Sequence, residues 1–147
     1  MLIRNKEHSV YFSPSDDLSV RIIELISNAD LTIKVAMYNL KNERVVKSLI
    51  DARRRGVEVS IIFDEKKITE DVYSSMKNNG INLNVIYESK MHNKFAIFDK
   101  LHVVTGSFNW KEGVASEYDN IIIIKNKKVV TQYLNEFNNL EIHSEPM

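Results

Sequence analysis

The chain has 147 residues, the size of one ordinary domain, and its hydrophobic content of 44% is enough to fill a core. Lys and Arg total 20, Asp and Glu total 20, and there is no cysteine, which excludes disulfides, thiolate zinc sites and a cysteine nucleophile. Without a basic excess, any polyanion must be held by a local patch rather than by overall charge. No apolar run approaches the length of a membrane-spanning helix, so no stable membrane insertion is expected. The N-terminus, M-L-I-R-N-K-E-H, has no apolar signal core behind its charges. The expected location is the cytoplasm, or a secreted or periplasmic one if a targeting segment was removed before Met1.

Val10–Phe12 reads as a short strand, and Ser13-Pro14-Ser15-Asp16-Asp17 as a turn able to cap a helix. Leu18, Ile22, Leu25, Ile26 and Ala29 recur at helical spacing. Leu31–Met37 reads as a buried strand, and Val45, Val46, Leu49 and Ile50 as the stripe of a second helix ending near Gly56. Val57–Phe63 is another apolar strand, and Thr69–Asn79 a helix with Thr69 as cap and Gly80 at its stop. Val85–Tyr87 is a short strand, followed by the pair Phe95–Phe98 and Leu101–Thr105 around a tight turn at Asp99-Lys100. Ile121–Ile124 is the last strand, and Val130, Tyr133, Leu134 and Phe137 stripe a closing helix.

Strand–helix alternation with continuously apolar strands predicts an α/β fold: a mixed, largely parallel β-sheet flanked by helices on both faces. The 95–105 hairpin adds an antiparallel pair. No linker, repeat or low-complexity run interrupts the pattern, so one domain over 1–147 is expected.

The segment Met91–Asn109 carries the chemistry. His92-x-Lys94 is followed after four residues by Asp99, and after six more by Gly106-Ser107-x-Asn109. On an extended chain, residues two apart point the same way, so His92 and Lys94 share a face. Neutral imidazole is a competent nucleophile toward phosphorus at neutral pH. A lysine beside it can clamp developing oxyanions. Asn109 can donate its amide hydrogens to a phosphate oxygen, and Gly106 allows a close backbone approach. Taken singly, Gly-Ser and Asn are common turn residues and a lone histidine is commonly a surface residue.

The joint pattern resembles the signature of the phospholipase D superfamily, H-x-K-x4-D-x6-G-S-x-N, with every fixed position present. Y-F-S-P at Tyr11–Pro14, A-R-R-R-G-V-E-V at Ala52–Val59 and G-S-F-N-W at Gly106–Trp110 resemble the short, single-motif bacterial nuclease branch of Nuc-like endonucleases. The resemblance covers nearly the whole chain and implies the α/β/α sandwich of that family. It also implies metal-independent, cofactor-free cleavage of a phosphodiester through a phosphohistidine, with a second histidine protonating the leaving oxygen. His92 is then nucleophile or acid, Lys94 and Asn109 are catalytic and bind the phosphate with Ser107, and Asp99 and Gly106 are structural members of the motif.

Family members commonly carry an acidic residue before an Asn downstream of the motif, which orients the histidine. Asp119-Asn120 aligns there, with Glu117 as competing candidate. The chain holds one motif only, since His102 is followed by V-V-T and His8 and His143 lack motif context. The two-histidine chemistry therefore predicts a homodimer with a two-fold axis near His92.

Several other features have two readings. Arg53-Arg54-Arg55 is either favourable charge at a helix C-terminus or a phosphate contact. Phe108 and Trp110 either pack in the core or stack unpaired bases. Tyr38-Asn39 falls on the expected rim of the cleft. Lys66-Lys67 is a solvated loop or a backbone contact. The leading functional reading is an endonuclease acting on DNA, with RNA as a further substrate. Its rivals are a phospholipase acting on a lipid such as cardiolipin, and a catalytically inactive nucleic-acid-binding module. An intracellular nuclease would also call for an inhibitor or regulatory partner.

Overall fold

The computed structural model describes residues 7–147, so most of the N-terminal stretch read above for a signal core lies outside the described residues. One sheet is built from β1 (His8–Phe12), β2 (Thr32–Met37), β3 (Glu58–Asp64), β4 (Asn82–Ile86), β5 (Lys94–Phe98), β6 (His102–Gly106), β7 (Asn120–Ile124) and β8 (Glu145–Pro146). Their order across the sheet is β1-β7-β6-β5-β2-β3-β4-β8. The helices are α1 (Leu18–Asn28), α2 (Glu43–Arg54), α3 (Glu70–Asn78) and α4 (Lys127–Ile142).

The helix starts follow from their caps. Asp17, Asn42 and Asn126 each accept a hydrogen bond from a backbone N–H three residues on, in α1, α2 and α4. Thr69 precedes α3 but makes no side-chain capping bond, contrary to the expectation; Glu70 and Asp71 place negative charge in that first turn instead. Gly80, at a φ of 82°, provides the stop.

Both faces of the sheet are covered. Ile22, Ile26, Val45, Leu49 and Met76 from α1, α2 and α3 pack on Ile33, Val35, Val59 and Ile61. Val130 and Phe137 from α4 pack on Ala36, Ile62, Phe95, Ile97 and Val103 on the other face. Burial on both faces is why β2, β3 and β5 read as continuous apolar runs rather than alternating ones.

The sheet is mixed, but its parallel share is smaller than expected. Only the pairings β2–β3 and β3–β4 are parallel; the rest are antiparallel. Helical crossovers α2 and α3 make the parallel part, whereas β5, β6 and β7 are joined without helices, so each reverses direction. Three residues, 99–101, separate the paired Phe98 and His102; Asp99 and Lys100 have φ of 54° and 55°, and the Leu101 N–H closes the turn on the Phe98 carbonyl.

The register brings one edge together. Met37 at the end of β2 pairs with Lys94 at the start of β5, and Gly106 at the end of β6 pairs with Ile121. Asp64 at the end of β3 pairs with Ile86 at the end of β4. The loops leaving β2 and β3, the connection from β4 to β5 and the loop leaving β6 therefore share an edge.

Candidate active site

Gly106 is where the site is tightest. A Cβ there would collide with the Asn120 carbonyl, so only glycine lets the ends of β6 and β7 close. Ser107 follows directly. Its N–H donates to the Asn120 carbonyl at 3.1 Å, its Oγ donates to Asp119 Oδ1 at 2.7 Å, and its Oγ accepts the Asn120 N–H at 3.1 Å. Ser13 completes the joint: its Oγ accepts the Asp119 N–H at 3.0 Å and donates to the Glu117 carbonyl at 2.6 Å.

His92 lies in the loop before β5 with its imidazole exposed. Lys94 Nζ is 3.5 Å from His92 Nε2 and donates to the His92 carbonyl at 3.1 Å. Tyr38 meets the imidazole edge-on, with ring centroids 4.6 Å apart. The Lys94 ammonium, then partial burial, then Lys90 hold the imidazole pKa below its ordinary value, while Asp64 works weakly the other way. Burial and Lys90 also pull the Lys94 amine down, opposed by Asp119. The site thus favours a neutral imidazole beside a cation.

Asn109 Oδ1 is buried without a hydrogen-bond partner among the described residues, and so is Asn39 Oδ1. Their segments run side by side through the Leu40–Trp110 bridge. Both are acceptor oxygens, so an N–H or O–H donor such as a water would satisfy them and a phosphodiester would not. Phe108 and Trp110, on either side of Asn109, are buried in the core and present no face to a base. The three arginines close helix and loop ends: Arg55 donates to the Ile26, Ser27 and Ala29 carbonyls, Arg53 to the Gly80 carbonyl and Arg54 to Asn79 Oδ1.

Asp99 stands apart, at the far end of β5, about 15 Å of strand from Lys94. Its carboxylate accepts the N–H groups of Asp30, Leu31 and Thr32. Burial pushes its pKa up, but the three donors outweigh that and hold it below the ordinary carboxylate value. Within one chain no hydrogen bond joins Asp119 or Glu117 to His92; Asp119 is engaged by Ser107, and Glu117 is exposed. His8 and His102 begin their strands at the end of the sheet away from Gly106, and His143 closes α4.

Sequence reasoning misses Asp64. It is buried at the end of β3 and accepts the N–H groups of Met91 at 2.9 Å and Lys66 at 3.0 Å. The signal is a carboxylate closing an apolar strand, in I-I-F-D. Lys90 is missed as well, because nothing local distinguishes it from a solvated lysine. Among the described residues no three His, Asp or Glu side chains are placed to hold a metal ion, and no helix is long and apolar enough to cross a membrane.

His92, Lys94, Ser107 and Asn109, the polar members of the sequence motif, thus hang on one edge of an α/β/α sandwich. The chain belongs to the phospholipase D-like family: the family described as "Cardiolipin synthase, PLD-like domain" matches residues 22–141. The fold superposes on Nuc, a phospholipase D family member from Salmonella typhimurium, with a TM-score of 0.86 and 26% identity, over 95% of this chain and 97% of that one. A protein named phospholipase D from Rickettsia prowazekii is 28% identical over 86% of this chain and 63% of its own length. A protein named mitochondrial cardiolipin hydrolase from Chlamydomonas reinhardtii is 24% identical over 92% of this chain and 62% of its own. The chain thus spans a little under two thirds of the length of these two relatives.

Proposed function

We propose that this protein hydrolyses phosphodiester bonds in nucleic acid, DNA foremost, without a metal, in a homodimer that pairs two copies of His92. The observation that carries the reading is the exposed His92 imidazole with its Nε2 3.5 Å from Lys94 Nζ. A phosphate drawn to Lys94 lies in front of a nitrogen lone pair.

In the first step His92 Nε2 attacks phosphorus. The N–P bond forms, the P–O3′ bond breaks, and the imidazolium of His92 of the partner subunit gives its proton to the leaving O3′. Lys94 and the Asn109 amide stabilise charge on the non-bridging oxygens; the Ser107 hydroxyl, expected to join them, is spent on Asp119 Oδ1 and holds that carboxylate in place. In the second step that second imidazole, now neutral, takes a proton from water. The hydroxide oxygen displaces His92 and leaves a 5′-phosphate and a 3′-hydroxyl. A partner is invoked because His8 and His102 lie at the opposite end of the sheet, and His143, its ring on the Asn139 carbonyl, sits beside β8, several strands across the sheet from β5. We assign the orienting carboxylate to Asp119 rather than Glu117, since Asp119 is held at the site by Ser107 and acts on the charge of Lys94.

Nucleic acid is favoured over lipid by the resemblance of the sequence to the single-motif nuclease branch and by a polar rather than apolar cleft beside Tyr38. A lipid phosphodiester such as cardiolipin is the second reading, favoured by the names of the Rickettsia and Chlamydomonas relatives. An inactive binding module fits poorly with the joint presence of His92, Lys94 and Asn109.

The deciding experiment is cleavage of single- and double-stranded DNA in excess EDTA by wild type and His92→Ala. Cleavage by wild type alone is expected. Equal cleavage by both proteins would defeat the assignment of His92, and no cleavage by wild type, with turnover of cardiolipin, would move the substrate to lipid.

A further inference from the structure

Three ammonium groups gather around one ring. Lys90 Nζ lies 5.0 Å from the Tyr38 centroid, Lys67 Nζ 5.5 Å and Lys94 Nζ 5.6 Å. The ring attracts each cation, but the cations repel one another. None of the three has a carboxylate within ion-pairing distance among the described residues, where the ion pairs are made by Arg21, Arg44 and Lys47. Lys94 is accounted for by the phosphate under attack. Lys67 and Lys90 are not, and they come from different loops, after β3 and after β4.

Beside this cluster is a cleft of about 260 Å³, lined by Tyr38, Asp64, Lys66, Tyr87 and Lys90 together with Glu65, Glu88 and Ser89. Tyr87 is half exposed. The lining suits a nucleoside rather than an acyl chain: an aromatic face for stacking, and carboxylates that accept hydrogen bonds from base amino and imino groups. The same carboxylates keep a phosphate on the lysine side of the cleft.

We propose that Lys67 and Lys90, gathered on Tyr38 beside His92, form a second phosphate subsite, which holds the phosphate next to the scissile one while the adjoining cleft takes the intervening unpaired nucleoside. This rests on the nuclease reading and adds to it a preference for single-stranded nucleic acid, because a base stacked and paired in a duplex cannot enter the cleft.

The test is binding of a short labelled oligothymidylate to His92→Ala, with and without Lys67→Gln and Lys90→Gln, across a range of salt. The lysine changes should weaken binding about tenfold at low salt and flatten the slope of log K against log salt by about 0.7 for each phosphate no longer neutralised. A duplex of the same length should compete poorly. Unchanged affinity and slope in the lysine variant, or equal competition by duplex, overturns the proposal.

Wild-type activity separates the two levels. DNA cleavage by wild type with unchanged oligonucleotide affinity in the lysine variant defeats the second subsite alone. Hydrolysis of the single phosphodiester bis(p-nitrophenyl) phosphate without any cleavage of DNA defeats the nuclease reading, and the subsite with it. Lysine-dependent binding to cardiolipin vesicles but not to oligonucleotide also overturns the proposal.

Discussion

Asp64 Oδ2 accepts the backbone N–H of Met91 at 2.9 Å, which ties the end of β3 to the residue before His92. The other carboxylate oxygen takes the Lys66 N–H, so one buried side chain fixes both the loop that carries His92 and the loop that carries Lys67.

Replacing Asp64 by Ala leaves buried donors without a partner, at a cost of about 1–3 kcal/mol in unfolding free energy. Urea denaturation should show that loss, with Asp64→Asn intermediate because its carbonyl keeps one acceptor. Turnover should fall in both variants, since His92 loses its tether. A stability change within about 0.5 kcal/mol, the range of ordinary surface substitutions, would remove the anchoring role.

Lys94→Gln should raise the His92 pKa. An ammonium beside the ring disfavours imidazolium, and Lys94 is the largest cause of the depression. Because the imidazole is exposed, higher salt should move the wild-type value in the same direction. Proton NMR titration of the ring reads both effects. A ring pKa indifferent to Lys94 and to salt would show that this cation does not keep His92 neutral.

Asp99 links the fold to pH. Its pKa is lower in the folded chain than its ordinary value of 3.8, so the folded state binds fewer protons there. Its contribution is fully present above that value and is lost as pH falls through the lower folded pKa. The stability gap between wild type and Asp99→Asn should be widest near neutrality and narrow below about pH 4. A gap constant from pH 7 down to acid unfolding would contradict the linkage.

Gly106→Ala forces the β6 and β7 ends apart, because the new methyl meets the Asn120 carbonyl. We expect a loss of about 1–3 kcal/mol, as in other overpacked positions. Turnover should drop even where the protein stays folded, since Ser107 and Asp119 are held by that same closure. A variant with wild-type stability and rate would show that the strands separate freely.

The motif was legible because its members are local. His92, Lys94, Ser107 and Asn109 sit on one hairpin and its two flanks, so spacing alone places them together. Tyr38, Asp64 and Lys90 reach the site through the crossovers of β2, β3 and β4, and a partnership formed by distant register leaves no mark in neighbouring residues. The same holds for the sheet. Continuous apolar strands announce burial on both faces but not direction, so the antiparallel run through β5, β6 and β7 emerged only from the pairing. Two-residue β8, paired to β4, has no periodicity to read.

The division of the sheet has a consequence for how such a protein diversifies. His92, Lys94, Ser107 and Asp119 hang on the antiparallel half, at the ends of β5, β6 and β7, where a glycine contact and a serine–aspartate joint leave little room. Lys67, with Glu65 and Lys66 of the neighbouring cleft, hangs on the loop between β3 and α3, whereas Lys90 shares the β4–β5 connection with His92 and acts on its charge. Exchanging the β3–α3 loop alone, with Asp64 kept, would alter what the edge binds while the segment bearing His92 stays in place, so that this one loop acts as an interchangeable address and the rest of the edge as a fixed tool.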